Sequence, residues 1–216
     1  MNVSDLFSEN MEPALNEWIR KFTSPSELFA AIPQMFIKLK SQNIHGIVED
    51  GAIVVGPVHI GEGSVVQCQA VIRGPAIIGS DTFVSSHAEI LPGCFIASNC
   101  RIGHGCSIIE SMVMENVIVC HAAFVRNSVL GFGTFVGPGA VLGPVKPGRL
   151  KGGSLVSKEL GVALGDRGAV GANSTLTSGT IIGCRTVIGE GVLAEGIYGP
   201  DREIRASSKL EIKPRS

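Results

Sequence analysis

The sequence predicts an all-β protein, a parallel β-helix of hexapeptide repeats with a short N-terminal helical cap, on three observations. A branched aliphatic residue returns at every sixth position from Val48 to Ile108: Val48, Val54, Ile60, Val66, Ile72, Ile78, Val84, Ile90, Ile96, Ile102 and Ile108. Four residues after each of the first ten comes a small or thin side chain: Ala52, Val58, Ser64, Ala70, Ala76, Thr82, Ala88, Cys94, Cys100 and Cys106. Gly, Asn and Asp recur between these positions (Gly61-Glu62-Gly63, Gly79-Ser80-Asp81, Ser98-Asn99, Gly103-His104-Gly105), and such residues accept the left-handed backbone that a corner needs.

A helix is excluded, because six steps of about 100° leave a side chain roughly 120° from its starting face. Short extended segments satisfy the period if each repeat is one flat side of a coil, and β-branched residues favour that backbone. No coil of this kind buries its apolar side until another stacks on it.

Residues 1–40 differ from the rest. Leu15, Trp18, Ile19 and Phe22 alternate with charged residues at helical spacing, and Pro13 suits the first turn of that helix. Ser24-Pro25-Ser26-Glu27 is a capping box with proline at the first helical position, and Pro33 bends or ends the helix it starts. Trp18 is expected to pack this cap onto the first coil, hiding apolar interior and unpaired strand edges at the open end.

The β-helix is expected over 41–196. After Ile108 the aliphatic position reads best at Val113, Val119 and Phe124, then at Leu130, Val136 and Leu142, so two residues drop out of register around His121. A conflict of that kind tends to mark a functional site. Residues 144–160 break the repeat with four basic residues (Lys146, Arg149, Lys151, Lys158) against one acid, which predicts a loop thrown out from the coil. The repeat resumes at Leu164, Val170, Leu176, Ile182 and Ile188, with Gly168, Ser174, Thr180, Thr186 and Val192 at the small position. Residues 197–216 read as a polar tail that has lost it.

A net charge of -1 with 17% charged residues gives no broad field for nucleic acid. The expected partner is a small molecule or another copy of the chain. Mean hydropathy is +0.33, yet every apolar run is interrupted before membrane-spanning length, and the N-terminus shows no secretory pattern; no membrane and a cytoplasmic location are expected. Of six cysteines, Cys94, Cys100 and Cys106 occupy the small position, and spacing by six is not a zinc pattern. They read as small buried hydrophobes in a reducing compartment.

The pattern resembles the left-handed β-helix of hexapeptide-repeat acyltransferases. Within that group it is most similar to the C-terminal acetyltransferase domain of the N-acetylglucosamine-1-phosphate uridylyltransferases, over roughly residues 48–195. The segment Cys120-His121-Ala122-Ala123-Phe124-Val125-Arg126-Asn127-Ser128-Val129-Leu130-Gly131 lines up with that family's His-x-x-Tyr-x-Gly-Asp-Ser-x-Ile-Gly. The resemblance implies the handedness, three repeats per turn, a homotrimer with sites between neighbouring coils, and His121 as the catalytic base. That base takes a proton from a sugar amine as it attacks acetyl-CoA, a role that suits the pKa of imidazole.

The family's phosphate-gripping arginine falls on Leu91 and its lysine on Ile109, its tyrosine on Phe124 and an asparagine on Phe135. The acid supporting the histidine falls on Ser107, with Glu110 nearby. Asn127 replaces an aspartate and is expected to shape the turn beside His121, and Arg126 replaces a glycine. A pocket of Leu91, Ile109, Phe124 and Phe135 cannot hold a sugar phosphate as that family does, since bound phosphate needs charge-assisted donors. By the same resemblance Gly137, Gly139, Gly171, Ala172 and Lys158 fall where acetyl-CoA is held, as a co-substrate and not a tightly bound cofactor.

Three functions follow: an acyltransferase for an amino sugar or sugar-nucleotide-related acceptor, a non-catalytic trimeric scaffold or regulatory partner, or a protein of the gamma-class carbonic-anhydrase branch. The third needs three zinc-binding histidines. His87, His104 and His121 are spaced by seventeen, but no pair lies five apart as that branch requires, so no metal is expected. His45 and His59 read as corner or surface residues. About 40 residues precede the coil without a Gly-rich nucleotide loop, so any nucleotidyltransferase is expected to be a separate partner.

Overall fold

Each repeat forms one wall of a three-walled coil, and the walls of successive coils pair in parallel. In the computed structural model the described residues are 1–7, 13–143, 150–151, 154–155 and 160–206. The first wall has nine strands, from Asn43–Ile44 to Ile197–Tyr198; the second has nine, from Ile47–Val48 to Glu203–Ile204; the third has eight, from Ile53–Val55 to Leu193–Ala194. We call the turn from the first wall to the second the first corner, that from the second to the third the second corner, and the return to the first wall the third corner.

Register follows the aliphatic columns. On the first wall Ile60 faces Ile78, Ile78 faces Ile96 and Ile96 faces Val113, and all are fully buried. Beyond the first coil the small positions are equally buried, and their hydroxyls and thiols answer backbone groups of the next coil. Ser64 Oγ donates to Gly79 O (2.7 Å) and accepts from Thr82 N (2.9 Å). Thr82 Oγ1 donates to Ala97 O (3.0 Å) and accepts from Cys100 N (3.1 Å), and Cys100 Sγ donates to Met114 O (3.1 Å). Serine, threonine and cysteine at that position each supply a hydrogen bond to a buried backbone amide or carbonyl. Burial pushes the thiols of Cys94 and Cys100 up to about 12, as expected for inert interior cysteines.

Four expectations are corrected. The inward residue after Val119 is Val125, fully buried and paired with Ile108 and Leu142; Phe124 points outward and is half-buried. The two missing residues are lost one at a time. Ile96 to Val113 and Val113 to Leu130 are each seventeen apart, and both deletions fall at the third corner, around Glu110 and Asn127, whereas His121 sits at the second.

The helical segment covers a flank instead of the open end. Helices Val3–Leu6, Pro13–Ile19 and Pro25–Ala31 and the 3-10 turn Ile32–Phe36 pack on the outer face of the first wall. There Ile77, Phe95, Met112, Val129, Ala163 and Ile181 form an outward apolar column that needs cover. Asp166 N donates to Leu6 O (2.8 Å), which pins the first helix beside a late coil. The capping box forms as expected, with Glu27 N donating to Ser24 Oγ (3.2 Å) and Ser24 N to Glu27 Oε2 (3.2 Å). Trp18 joins the flank cluster and meets Phe22 edge-on at 5.0 Å, while Val48, Ala52 and Val54 of the first coil stay half-exposed.

The repeat also continues past 196. Tyr198 pairs with Ile182 and Ile204 with Ile188, so the expected tail supplies part of one more coil. Val129–Leu130 pairs directly with Ala163–Leu164 across the break in the repeat, and Leu150–Lys151 pairs antiparallel with Ser154–Leu155. Lys146, Arg149 and Lys158 lie outside the described residues.

Candidate active site at the second corner

His121 is set by the turn Val119-Cys120-His121-Ala122-Ala123, whose ends Val119 and Ala123 point inward and are buried. The imidazole is thereby exposed at the edge between the second and third walls. Ala122 takes the left-handed backbone (φ 56°), as do His87, Gly105, Gly139 and Asn173 at the same place in other coils. For alanine that conformation costs roughly 1 kcal/mol. Stacking fixes it, since Ala122 N donates to His104 O (2.8 Å) and Gly139 N to His121 O (3.0 Å).

The ring is oriented by the preceding coil: His104 N donates to His121 Nδ1 at 3.0 Å. An imidazole that accepts on Nδ1 carries its proton on Nε2 when neutral. The free nitrogen of His121 is then a donor. His104 is also tied back, its Nδ1 lying 3.2 Å from Ser86 Oγ, and its ring is 4.9 Å from that of His87. His87 and His104 are exposed turn residues, as expected. His59 is instead half-buried on the first wall, where burial lowers its pKa and His45 adds to the effect. Among the described residues no three His, Cys, Asp or Glu side chains gather as a metal site.

The expected site residues separate into two groups. Phe135, outward on the second wall, and Phe124, outward on the third, flank the His121 corner from either side. Gly137, Gly139, Gly171 and Ala172 stack at the same corner in the two coils that follow. Coil packing alone accounts for two of these glycines: a Cβ on Gly137 would come within 2.7 Å of Ala172 N, and one on Gly171 within 2.6 Å of Glu190 N.

Leu91, Ile109 and Asn127 lie at the opposite edge of the third wall. Asn127 shapes the third corner (φ 50°) and not the turn beside His121. Glu110 is at that corner too, a wall away from the imidazole, while Ser107 faces Phe124 on the wall itself. Lys158 lies outside the described residues. A cavity of about 430 Å³ lined by Met1, Asp5, Cys184, Arg185 and Pro200 sits at the first corner, remote from His121.

This fold, with an exposed histidine on a coil corner, defines a hexapeptide-repeat β-helix protein. The sequence profile described as the GMPPB C-terminal domain matches residues 72–163. The bifunctional protein GlmU of Methanococcus vannielii is 27% identical over 188 residues, 84% of this chain and 45% of that protein. The GlmU of Prochlorococcus marinus is 30% identical over 108 residues, 50% of this chain and 22% of that protein. The chain is thus a hexapeptide-repeat β-helix similar in sequence to the GlmU proteins, and it spans less than half the length of these relatives. Among solved structures, the UDP-N-acetylglucosamine acyltransferase of Francisella novicida is 14% identical, with 71% of this chain and 58% of that one covered at a TM-score of 0.38. The perosamine N-acetyltransferase of Caulobacter crescentus is 16% identical, with 93% and 63% covered at a TM-score of 0.30.

Proposed function

We propose that the chain is an acyl-CoA-dependent acyltransferase that acetylates an amino sugar or a sugar-nucleotide-related acceptor at the second corner. The placement of His121 carries the reading: an exposed imidazole on rigid coil, flanked by outward aromatics of two walls and stacked on small residues. In the reaction the acceptor amine attacks the thioester carbonyl of acetyl-CoA, a C–N bond forms and the C–S bond breaks. The proton leaving the amine passes through His121 to the departing thiolate.

For His121 to act as base through Nε2, its proton must sit on Nδ1, so the bond from His104 N has to open as the acceptor arrives. With that bond intact, Nε2–H instead serves as a donor to the developing oxyanion. In this reading acetyl-CoA lies along the corner lined by Gly137, Gly139, Gly171 and Ala172. A homotrimer fits the exposed apolar side chains of the second and third walls, among them Ile47, Ile53, Ile118, Phe135, Val187 and Leu193.

A second reading, a non-catalytic scaffold, is favoured by one observation: the imidazole accepts on Nδ1 and so holds the tautomer opposite to the one a base needs. Calorimetric titration of acetyl-CoA into the protein, followed by a thiol-release screen of amino sugars, separates the two. Binding with turnover supports the acyltransferase, and neither supports the scaffold.

A further inference from the structure

Arg126 ends the strand Phe124–Arg126 and points outward, because Val125 before it is turned into the core. Its guanidinium Nε is buried without a hydrogen-bond partner, and no described residue forms an ion pair with it. The side chain follows two apolar residues, Leu91 and Ile109, in an outward column in which Arg73 stands one coil before Leu91. Register puts it opposite Ile109, and Leu91 is the next residue in that column.

In the other direction the column runs through Gly143 to Thr177, since Val125 faces Leu142 and Leu142 faces Leu176. Thr177 Oγ1 is likewise buried and unpartnered. Two unsatisfied polar side chains therefore stand two coils apart in this column, with the backbone of Gly143 between them. A cation whose Nε is withdrawn from water and unpaired is unfavourable unless an anion reaches it, and the planar fork of arginine matches a carboxylate or a phosphate.

We propose that Arg126, with Thr177 beside it, binds an oxyanion group of the acceptor at the far edge of the third wall from His121. The word acceptor rests on the acyltransferase reading; the anion site itself does not. Leu91 and Ile109 carry no charge, and the register shows that the column carries one again a coil later, at Arg126.

The test is calorimetric binding of glucosamine 1-phosphate, galacturonic acid and neutral glucosamine to the wild-type protein, Arg126→Gln and Arg126→Lys, with thermal melts to establish folding. The wild type is expected to bind one of the two anionic sugars at least about tenfold tighter than glucosamine, and which one distinguishes phosphate from carboxylate. Arg126→Gln is expected to abolish that preference and Arg126→Lys to keep part of it. No preference in the wild type, or a preference that survives in a folded Arg126→Gln, overturns the proposal. Acetyl-CoA titrated into the same wild-type sample reports separately on the acyltransferase reading, so either can fail alone.

Discussion

Replacing Val125 by alanine tests the inward column where the sequence pattern is most ambiguous. Val125 is fully buried between Ile108 and Leu142, so the change removes two methyl-sized groups from a packed interior. At about 0.8 kcal/mol per group the transfer term is roughly 1.6 kcal/mol. The unfilled space adds to this and brings the expected loss to about 2–3 kcal/mol. Phe124→Tyr is the control, since its ring lies on the outer face and a hydroxyl there reaches water, at a cost below about 0.5 kcal/mol. Denaturant unfolding followed by circular dichroism measures both. A Val125→Ala loss under about 0.5 kcal/mol together with a Phe124→Tyr loss above about 2 kcal/mol would show the register to be one residue out.

Three further outcomes are expected. Under native conditions iodoacetamide should label the exposed Cys68, while Cys94, Cys100 and Cys106 react only after unfolding; fast native labelling of Cys100 would contradict the stacked interior. The Glu27 carboxyl is held below its ordinary 4.5 by hydrogen bonds from Thr23 and Ser24, so its contribution is present above that pH and lost as pH falls through the lower folded value. Glu27→Gln should remove that part of the acid sensitivity of the helical segment, and an unchanged acid profile would count against the capping box. Ala122→Gly should raise stability by about 0.5 kcal/mol, because glycine takes positive φ without steric cost, and a loss of stability would show that the alanine methyl packs favourably.

The columns were legible because a six-residue period leaves few architectures, and Val48 to Ile108 keep it without interruption. The registers of Leu164 to Ile188 were legible for the same reason. The choice between Phe124 and Val125 was not, since both are apolar and a one-residue deletion permits either phase. Only the pairing of Ile108 with Val125 separates them. The flank position of the helical segment escaped because attention to inward columns overlooks an outward one; Ile77, Phe95 and Met112 recur with the coil and not with the repeat. At the site, the grouping of His121 with Gly137, Gly139, Gly171 and Ala172 comes from the family resemblance and not from spacing. Sequence spacing could not show that Asn127 and Glu110 lie a full wall away, or that Arg126 shares a column with Leu91 and Ile109, because neighbours in a solenoid are a coil apart in the chain.

Thiol release from acetyl-CoA, measured side by side for the wild type and His121→Ala over a panel of amino sugars, tests most directly whether the second corner is a site of acyl transfer. The expected result is turnover by the wild type and a fall in kcat/KM on the order of 10²- to 10⁴-fold in the variant, with the circular dichroism spectrum unchanged. Equal rates in the two proteins would contradict it.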